Sequence, residues 1–138
     1  MAVLTDTSGL YAILDADDRN HIAAAGGWKR LVGSGQEIAV HDLVIVETWS
    51  LIQARLGMAA VEIFHRDFWP LLTPHRVSEE ILSRGMARCL GARRRDLSLA
   101  DCVTFELAAS EGISGAFAFD VHFREAGLRL PDDPSWPG

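Results

Sequence analysis

Four acidic residues stand where their surroundings give a carboxylate little reason to be. Asp6 closes the apolar run Ala2-Val-Leu-Thr5, and Asp120 closes the apolar run 115–119. Glu47 lies in a helical stretch with Leu43 and Leu51 four residues to either side and Ala54 seven residues on. Asp101 repeats the pattern, with Leu97, Phe105 and Ala108 at the same spacings. An unpaired carboxylate on an apolar helix stripe is costly unless it reaches a wet cleft or a cation. Each acid also has a local alternative. Asp6 and Asp120 are good helix caps, Glu47 can reach out from the edge of its stripe, and Ser98-Leu-Ala-Asp101 has the form of a capping box at a helix's positive end. If the two helices pack near the two strand ends, the four carboxylates converge, and four at close range do not all stay ionised without cations. Oxygen-only ligands select hard ions, Mg²⁺ or Mn²⁺. One or two such ions in an acidic pocket suit metal-assisted hydrolysis of a phosphodiester.

The elements that must position these acids alternate along the chain. Short apolar runs at 2–5, 37–41 and 115–119 read as strands, with a weaker one at 71–77 and a last one near 128–130. Pro74 places the 71–77 strand at a sheet edge or bulge. Helical spacing or caps mark helices at about 7–14, 21–32, 43–56, 58–68, 78–90 and 98–110, with a short helical turn after residue 119. Asp42 is the expected cap of the 43–56 helix. Helices between strands imply βαβ crossovers, hence an α/β fold with a mostly parallel sheet covered on both faces. Ligands of such sheets bind outside the carboxyl ends of the strands, where Asp6 and Asp120 fall. Residues 1–130 read as one domain and 131–138 as an irregular C-terminal tail.

Composition narrows the function further. The 138 residues are 49% hydrophobic and 23% charged, which excludes bulk disorder. A net charge of −6 lacks the basic stripe of a bulk nucleic-acid binder but is compatible with a nucleic-acid enzyme that recruits divalent metal. Two cysteines, Cys89 and Cys102, exclude a disulfide scaffold and a cysteine-based zinc cage. No apolar run is long enough to span a membrane, and the acid at position 6 is unlike a secretory leader; a cytoplasmic protein is the expectation. Arg93, Arg94 and Arg95, with Arg88 nearby, form the one basic cluster, which could guide an RNA backbone or simply be a solvated loop. Trp28, Trp49 and Trp69 read as core or subunit-interface residues rather than base-stacking platforms.

On these residues the chain resembles the PIN-domain family, and within it the VapC-type toxin ribonucleases. Leu4-Thr-Asp-Thr-Ser-Gly-Leu-Tyr-Ala-Ile-Leu14, Asp42-Leu-Val-Ile-Val-Glu-Thr-Trp49, Leu97-Ser-Leu-Ala-Asp-Cys102 and Ala118-Phe-Asp-Val-His-Phe-Arg-Glu-Ala-Gly-Leu128 are similar to the family's four motifs, in order. The resemblance spans residues 3 to 130. It implies a three-layer α/β/α sandwich and Mg²⁺- or Mn²⁺-dependent cleavage of single-stranded RNA, with Asp6, Glu47, Asp101 and Asp120 as catalytic metal ligands. It also implies a homodimer neutralised by a cognate antitoxin, and Ser8 as a polar neighbour of the metal site. Many relatives carry Thr or Ser two residues before the fourth acid, where this chain has Ala118. The rival reading is therefore a catalytically weak or inactive PIN-fold module that binds RNA or protein.

Overall fold

The computed structural model describes residues 1–138. Its centre is a sheet of four parallel strands, β1 (Ala2–Thr5), β2 (Glu37–His41), β3 (Thr73–His75) and β4 (Gly115–Phe117), in the order β3-β2-β1-β4. Parallel neighbours need long crossovers. α1 (Thr7–Leu14) and α2 (His21–Gly33) carry the chain from β1 to β2. α3 (Asp42–Leu56) and α4 (Met58–Ile63) lead toward β3, and α5 (Glu79–Ala92) and α6 (Leu99–Glu111) lead to β4. A short α7 (Val121–Glu125) follows β4. The α/β/α layering is the one expected. No helix is long and apolar enough to cross a membrane.

The period-2 alternation of the strands divides the core into two layers. Val3, Ile38, Val40 and Phe117 point to one face and pack with Leu10, Leu31, Ile52 and Phe64 from the helices between β1 and β3. Leu4, Ala39, Ala116 and Ala118 point to the other, against Val103, Leu107 and Phe123. Three alanines on the second face bring α6 close to the sheet. Gly85 then brings α5 close to α6, since a Cβ there would lie 2.6 Å from Val103 Cγ2 and 3.2 Å from its backbone.

Several boundaries differ from the sequence reading for local reasons. His41, not Asp42, caps α3: its Nδ1 accepts the Leu43 N–H at 3.2 Å. The Asp42 carboxylate is used elsewhere, accepting the Val77 N–H at 3.1 Å beyond β3. The expected 58–68 helix is α only to Ile63; a π-helical turn (Phe64–Phe68) and a 3-10 turn (Trp69–Leu71) lead into β3. Pro70 has no N–H to continue the ladder. β4 pairs only to Phe117, because the Phe119 N–H turns away to Ser8 Oγ at 3.1 Å. The strand expected near 128–130 is a single bridge between Gly115 and Arg129. β3, with Pro74, is the edge strand the proline called for. There His75 reaches both Glu37 and Glu111, tying the edge to β2 and α6. The 131–138 tail has no helix or strand, yet Trp136 is buried and its indole N–H donates to the Ala116 carbonyl at 3.0 Å.

Two helix glycines should respond oppositely to one substitution. Gly85→Ala should lower stability, because overpacking costs about 1–3 kcal/mol against the roughly 1 kcal/mol alanine gains over glycine in a helix. A Cβ at Gly26, in α2, meets nothing within 4 Å, so Gly26→Ala should raise stability by up to about 1 kcal/mol. Urea denaturation of both variants measures this; equal effects would contradict the packing described.

Candidate metal centre

β1 and β4 are adjacent and parallel, with Thr5 opposite Phe117, so their carboxyl ends open at the same place. Asp6 leaves β1 there. Its N–H donates to the Phe117 carbonyl at 3.1 Å, and its Oδ2 accepts the Ser8 N–H at 3.1 Å and the Ser8 hydroxyl at 2.6 Å. Asp120 follows β4 and caps α7, its Oδ1 accepting the His122 N–H at 2.9 Å. Asp101 lies in the first turn of α6, where the capping box with Ser98 is complete: Asp101 N–H to Ser98 Oγ at 3.0 Å, and Ser98 N–H to Asp101 Oδ2 at 3.3 Å. Capping leaves Asp101 only 8% exposed, and Asp6 is 5% exposed.

Glu47 corrects the sequence reading in one respect. The buried stripe of α3 is Val44, Thr48 and Ile52, and Glu47 lies one step around from it, exposed to solvent. Its carboxylate thus keeps its water while remaining near enough to act on the buried acids. Burial pushes the Asp6 carboxyl up to about 7; Asp101 and Glu47 add to the rise, and the Ser8 hydrogen bonds oppose it. Burial also raises Asp101, helped by Asp120 and Glu47 and opposed by Ser98. Asp101 and Glu47 thus lie near enough to act on Asp6, and Asp120 and Glu47 near enough to act on Asp101. The four acids form an open set rather than a closed cage: no three of the side chains are already arranged around one ion. No lysine or arginine pairs with any of them, and the one basic group in reach is His122, whose Nε2 lies 3.9 Å from Asp120 Oδ1.

Buried polar links lock the acid-bearing elements together, and sequence reasoning missed two of them. Ser8 Oγ bridges Asp6 to the Phe119 N–H beside Asp120. Thr7 Oγ1 and Thr48 Oγ1, neighbours of Asp6 and Glu47, are 3.0 Å apart and tie α1 to α3. His41 Nε2 donates to Thr104 Oγ1 at 2.7 Å, whose hydroxyl donates to the Ala100 carbonyl at 2.9 Å beside Asp101. Because Nδ1 accepts from Leu43, this relay fixes His41 as the neutral Nε2–H tautomer. Partners separated by 41 and 63 residues leave no local signal.

The arginine cluster is less free than its sequence suggests. Arg88 pairs with Glu106 at 2.7 Å, and Arg94 with Glu125 at 3.1 Å and Asp96 at 3.5 Å. Arg93, in the left-handed cap of α5 at φ 51°, and Arg95 are exposed and form no ion pair. Asp96 Oδ2 lies 3.2 Å from His122 Nε2, which sets this loop beside the Asp120 turn.

Burial holds His41 down at about 4, so its imidazole should stay neutral at pH 5, where an ordinary histidine is protonated. Stability tied to that neutrality is present above about 6.5 and is lost as pH falls from about 6.5 toward about 4. Imidazole NMR across this range should show the Nε2–H form throughout its upper part; a midpoint near 6.5 would contradict the buried relay.

Comparison with known proteins agrees with this architecture. The PIN domain family model matches residues 3–128. The chain is 28% identical over 128 residues to the 23S rRNA-specific endonuclease VapC20 of Mycobacterium tuberculosis, covering 91% of this chain and 95% of that protein. The crystal structure of VapC20, described as a sarcin-ricin loop cleaving toxin, superposes with a TM-score of 0.78 at 26% identity, over 92% of this chain and 96% of that one. Two more distant structures share the fold. VapBC2 from Rickettsia felis, bound to a fragment of promoter DNA, gives a TM-score of 0.66 at 12% identity over 94% of this chain and 97% of that one. PAE2754 from Pyrobaculum aerophilum gives 0.67 at 20% identity over 96% and 90%. With the family match running from β1 to the segment past α7, the chain belongs to the PIN domain family, as a homologue of VapC-type toxin nucleases.

Proposed function

We propose that this protein is a divalent-metal-dependent endoribonuclease, the toxin of a toxin–antitoxin pair, that hydrolyses phosphodiester bonds in single-stranded stretches of RNA. The observation that carries this is the pair Asp6 and Asp120 at the adjoining carboxyl ends of β1 and β4, with Asp101 and Glu47 near enough to raise the Asp6 carboxyl and no lysine or arginine paired with any of the four. An all-oxygen, uncompensated donor set fits Mg²⁺ or Mn²⁺. Asp6, Glu47, Asp101 and Asp120 would hold the ions. A bound metal would supply Lewis acidity toward water and phosphate oxygens.

The chain's own residues orient the donors. Ser8 engages only Oδ2 of Asp6, Ser98 only Oδ2 of Asp101, and His122 only Oδ1 of Asp120. Each of these three carboxylates is held by one oxygen and keeps the other free, and Glu47 has no such partner. Ser8 thereby takes the supporting role, on the side of the site where Ala118 brings no hydroxyl. Arg93 and Arg95, exposed and without ion pairs, would take RNA phosphates, while Arg94 pairs with Glu125.

The similarity to VapC20 makes 23S ribosomal RNA the first substrate to test. The fold shared with VapBC2 supports an antitoxin partner, and a homodimer is the expected assembly. RNA should be cut with Mn²⁺ or Mg²⁺ and not with EDTA. Changes around metal ligands cost about 10–100-fold, so Asp6→Asn and Asp101→Asn should lose at least roughly 100-fold in rate while remaining folded. Undiminished cleavage in either variant would overturn the site.

The acids also make a stability prediction. Because the folded carboxyl of Asp6 titrates near 7 rather than 3.8, the metal-free protein is most favoured below about pH 4 in this respect and loses stability as pH rises through about 7. In EDTA the melting temperature of wild type relative to Asp6→Asn should therefore fall between pH 5 and pH 8, a comparison in which the opposite pH dependence of His41 cancels, and millimolar Mn²⁺ should raise the wild-type value by binding the folded state. A wild-type-minus-variant difference indifferent to pH, with no response to Mn²⁺, would refute the charge crowding.

A further inference from the structure

Beside the acids runs a trough that the metal chemistry does not use. Two adjoining cavities of about 380 and 300 Å³ share Ala23, Phe119, Pro131 and Asp132. Together they form one channel between α2 and the residues after β4. The channel and the acids share a segment: Ala118 and Phe119 in its wall immediately precede Asp120, and the Phe119 N–H is held by the same Ser8 Oγ that holds Asp6. α7 serves both sides: His122 and Glu125 face the arginine loop, while Val121 and Arg124 face the trough.

The lining has the chemistry of a nucleotide. Phe119 is half-buried, tilted edge-on to Phe117 with ring centroids 6.0 Å apart, and leaves part of its ring to the channel. Gly26 and Gly27 leave that stretch of the α2 wall without side chains. Arg30 stands in the wall with no carboxylate partner; its guanidinium donates to the Pro131 carbonyl at 2.6 Å and lies 5.1 Å from the Trp136 ring centre. Arg124, in the same wall, is tied to Asp132. An apolar slot with one aromatic platform and an uncompensated guanidinium suits a stacked base and its phosphate. Each of its two cavities, at about 380 and 300 Å³, falls at the lower end of small-ligand pockets.

We propose that this trough seats a nucleotide of the RNA adjoining the bond that is cut, its base stacked on Phe119 and its phosphate toward Arg30; the inference rests on the ribonuclease reading above. Phe119 is thus a substrate-positioning residue, and the trough contributes to the choice of sequence cut.

The test compares wild type with Phe119→Ala, Phe119→Trp and Gly26→Leu for RNA affinity, KM, kcat and the Mn²⁺-induced rise in melting temperature. Base–aromatic stacking is worth about 1–3 kcal/mol, so Phe119→Ala should raise KM and Kd for RNA by about fivefold or more. Phe119→Trp should restore both. Gly26→Leu, whose Cβ meets nothing in the fold, should weaken RNA binding by filling the slot while leaving the protein folded. The Mn²⁺ response should be unchanged in all three. A 4-thiouridine placed next to the cleavage site should crosslink to the Phe119 segment. Affinities for RNA within about twofold of wild type in both Phe119→Ala and Gly26→Leu, with wild type cleaving normally, would overturn the trough and leave the nuclease reading intact. If both variants instead lose only antitoxin binding, the occupant is protein and the proposal fails. If wild type neither binds nor cleaves RNA, both readings fall together.

Discussion

Negative charge confined at one end of a small sheet is the constraint on which the rest of this structure depends. Asp6 and Asp101 are buried, Asp120 and Glu47 border them, and no lysine or arginine pairs with the set, whose one basic contact is His122 beside Asp120. Like charges in a low-dielectric setting push apart the elements that carry them. The fold answers with uncharged links one or two residues from each acid: Ser8 between Asp6 and the Asp120 turn, Thr7 to Thr48 beside Glu47, and His41 through Thr104 to Ala100 beside Asp101. A cation in these places would hold the elements together more simply, but it would also quench the charge the site needs. Hydroxyls and a neutral imidazole hold position without altering charge.

The two faces of the sheet divide the labour. The face carrying Val3, Val40 and Phe117 takes large side chains and supplies most of the apolar burial. The face carrying Ala39, Ala116 and Ala118 takes small ones, so that α6 can bring Asp101 down toward the strand ends. Gly9 serves the same end from the other layer. A Cβ there would meet the Phe117 carbonyl oxygen at 2.5 Å, so only glycine lets α1 begin tight against β4 and keep Ser8 within reach of Phe119. Packing density and site geometry are here one problem solved by residue size.

The sequence made the site legible because each acid sits at a place with local meaning. Asp6 and Asp120 follow apolar runs, and Asp101 completes a capping box, so their elements follow from short-range pattern. What stayed hidden depends on contacts between distant residues. Periodicity located Glu47 beside an apolar stripe but could not say which side of the stripe meets solvent. Asp42 has the better capping residue type, yet His41 caps because Val77 claims the Asp42 carboxylate. The 115–119 run reads as one strand, and only Ser8, more than a hundred residues away, ends the pairing at Phe117. Nothing about Trp136 in a proline-rich tail announces that its indole closes over β4.

The pairing of β1 with β4 has a consequence for the order in which this molecule comes into being. Domains form from the amino terminus as synthesis proceeds, and contacts of long sequence separation form late. Here the first strand made finds one neighbour in β2 early but must wait for residues 115–117 to find the other, and the indole that covers them follows at residue 136. Asp6 is made before β1 has either neighbour, and Asp120 only after all four strands. A folding chain therefore carries only fragments of its charge cluster until β4 has docked beside β1 and brought Asp120 to the end of the sheet where Asp6 already stands.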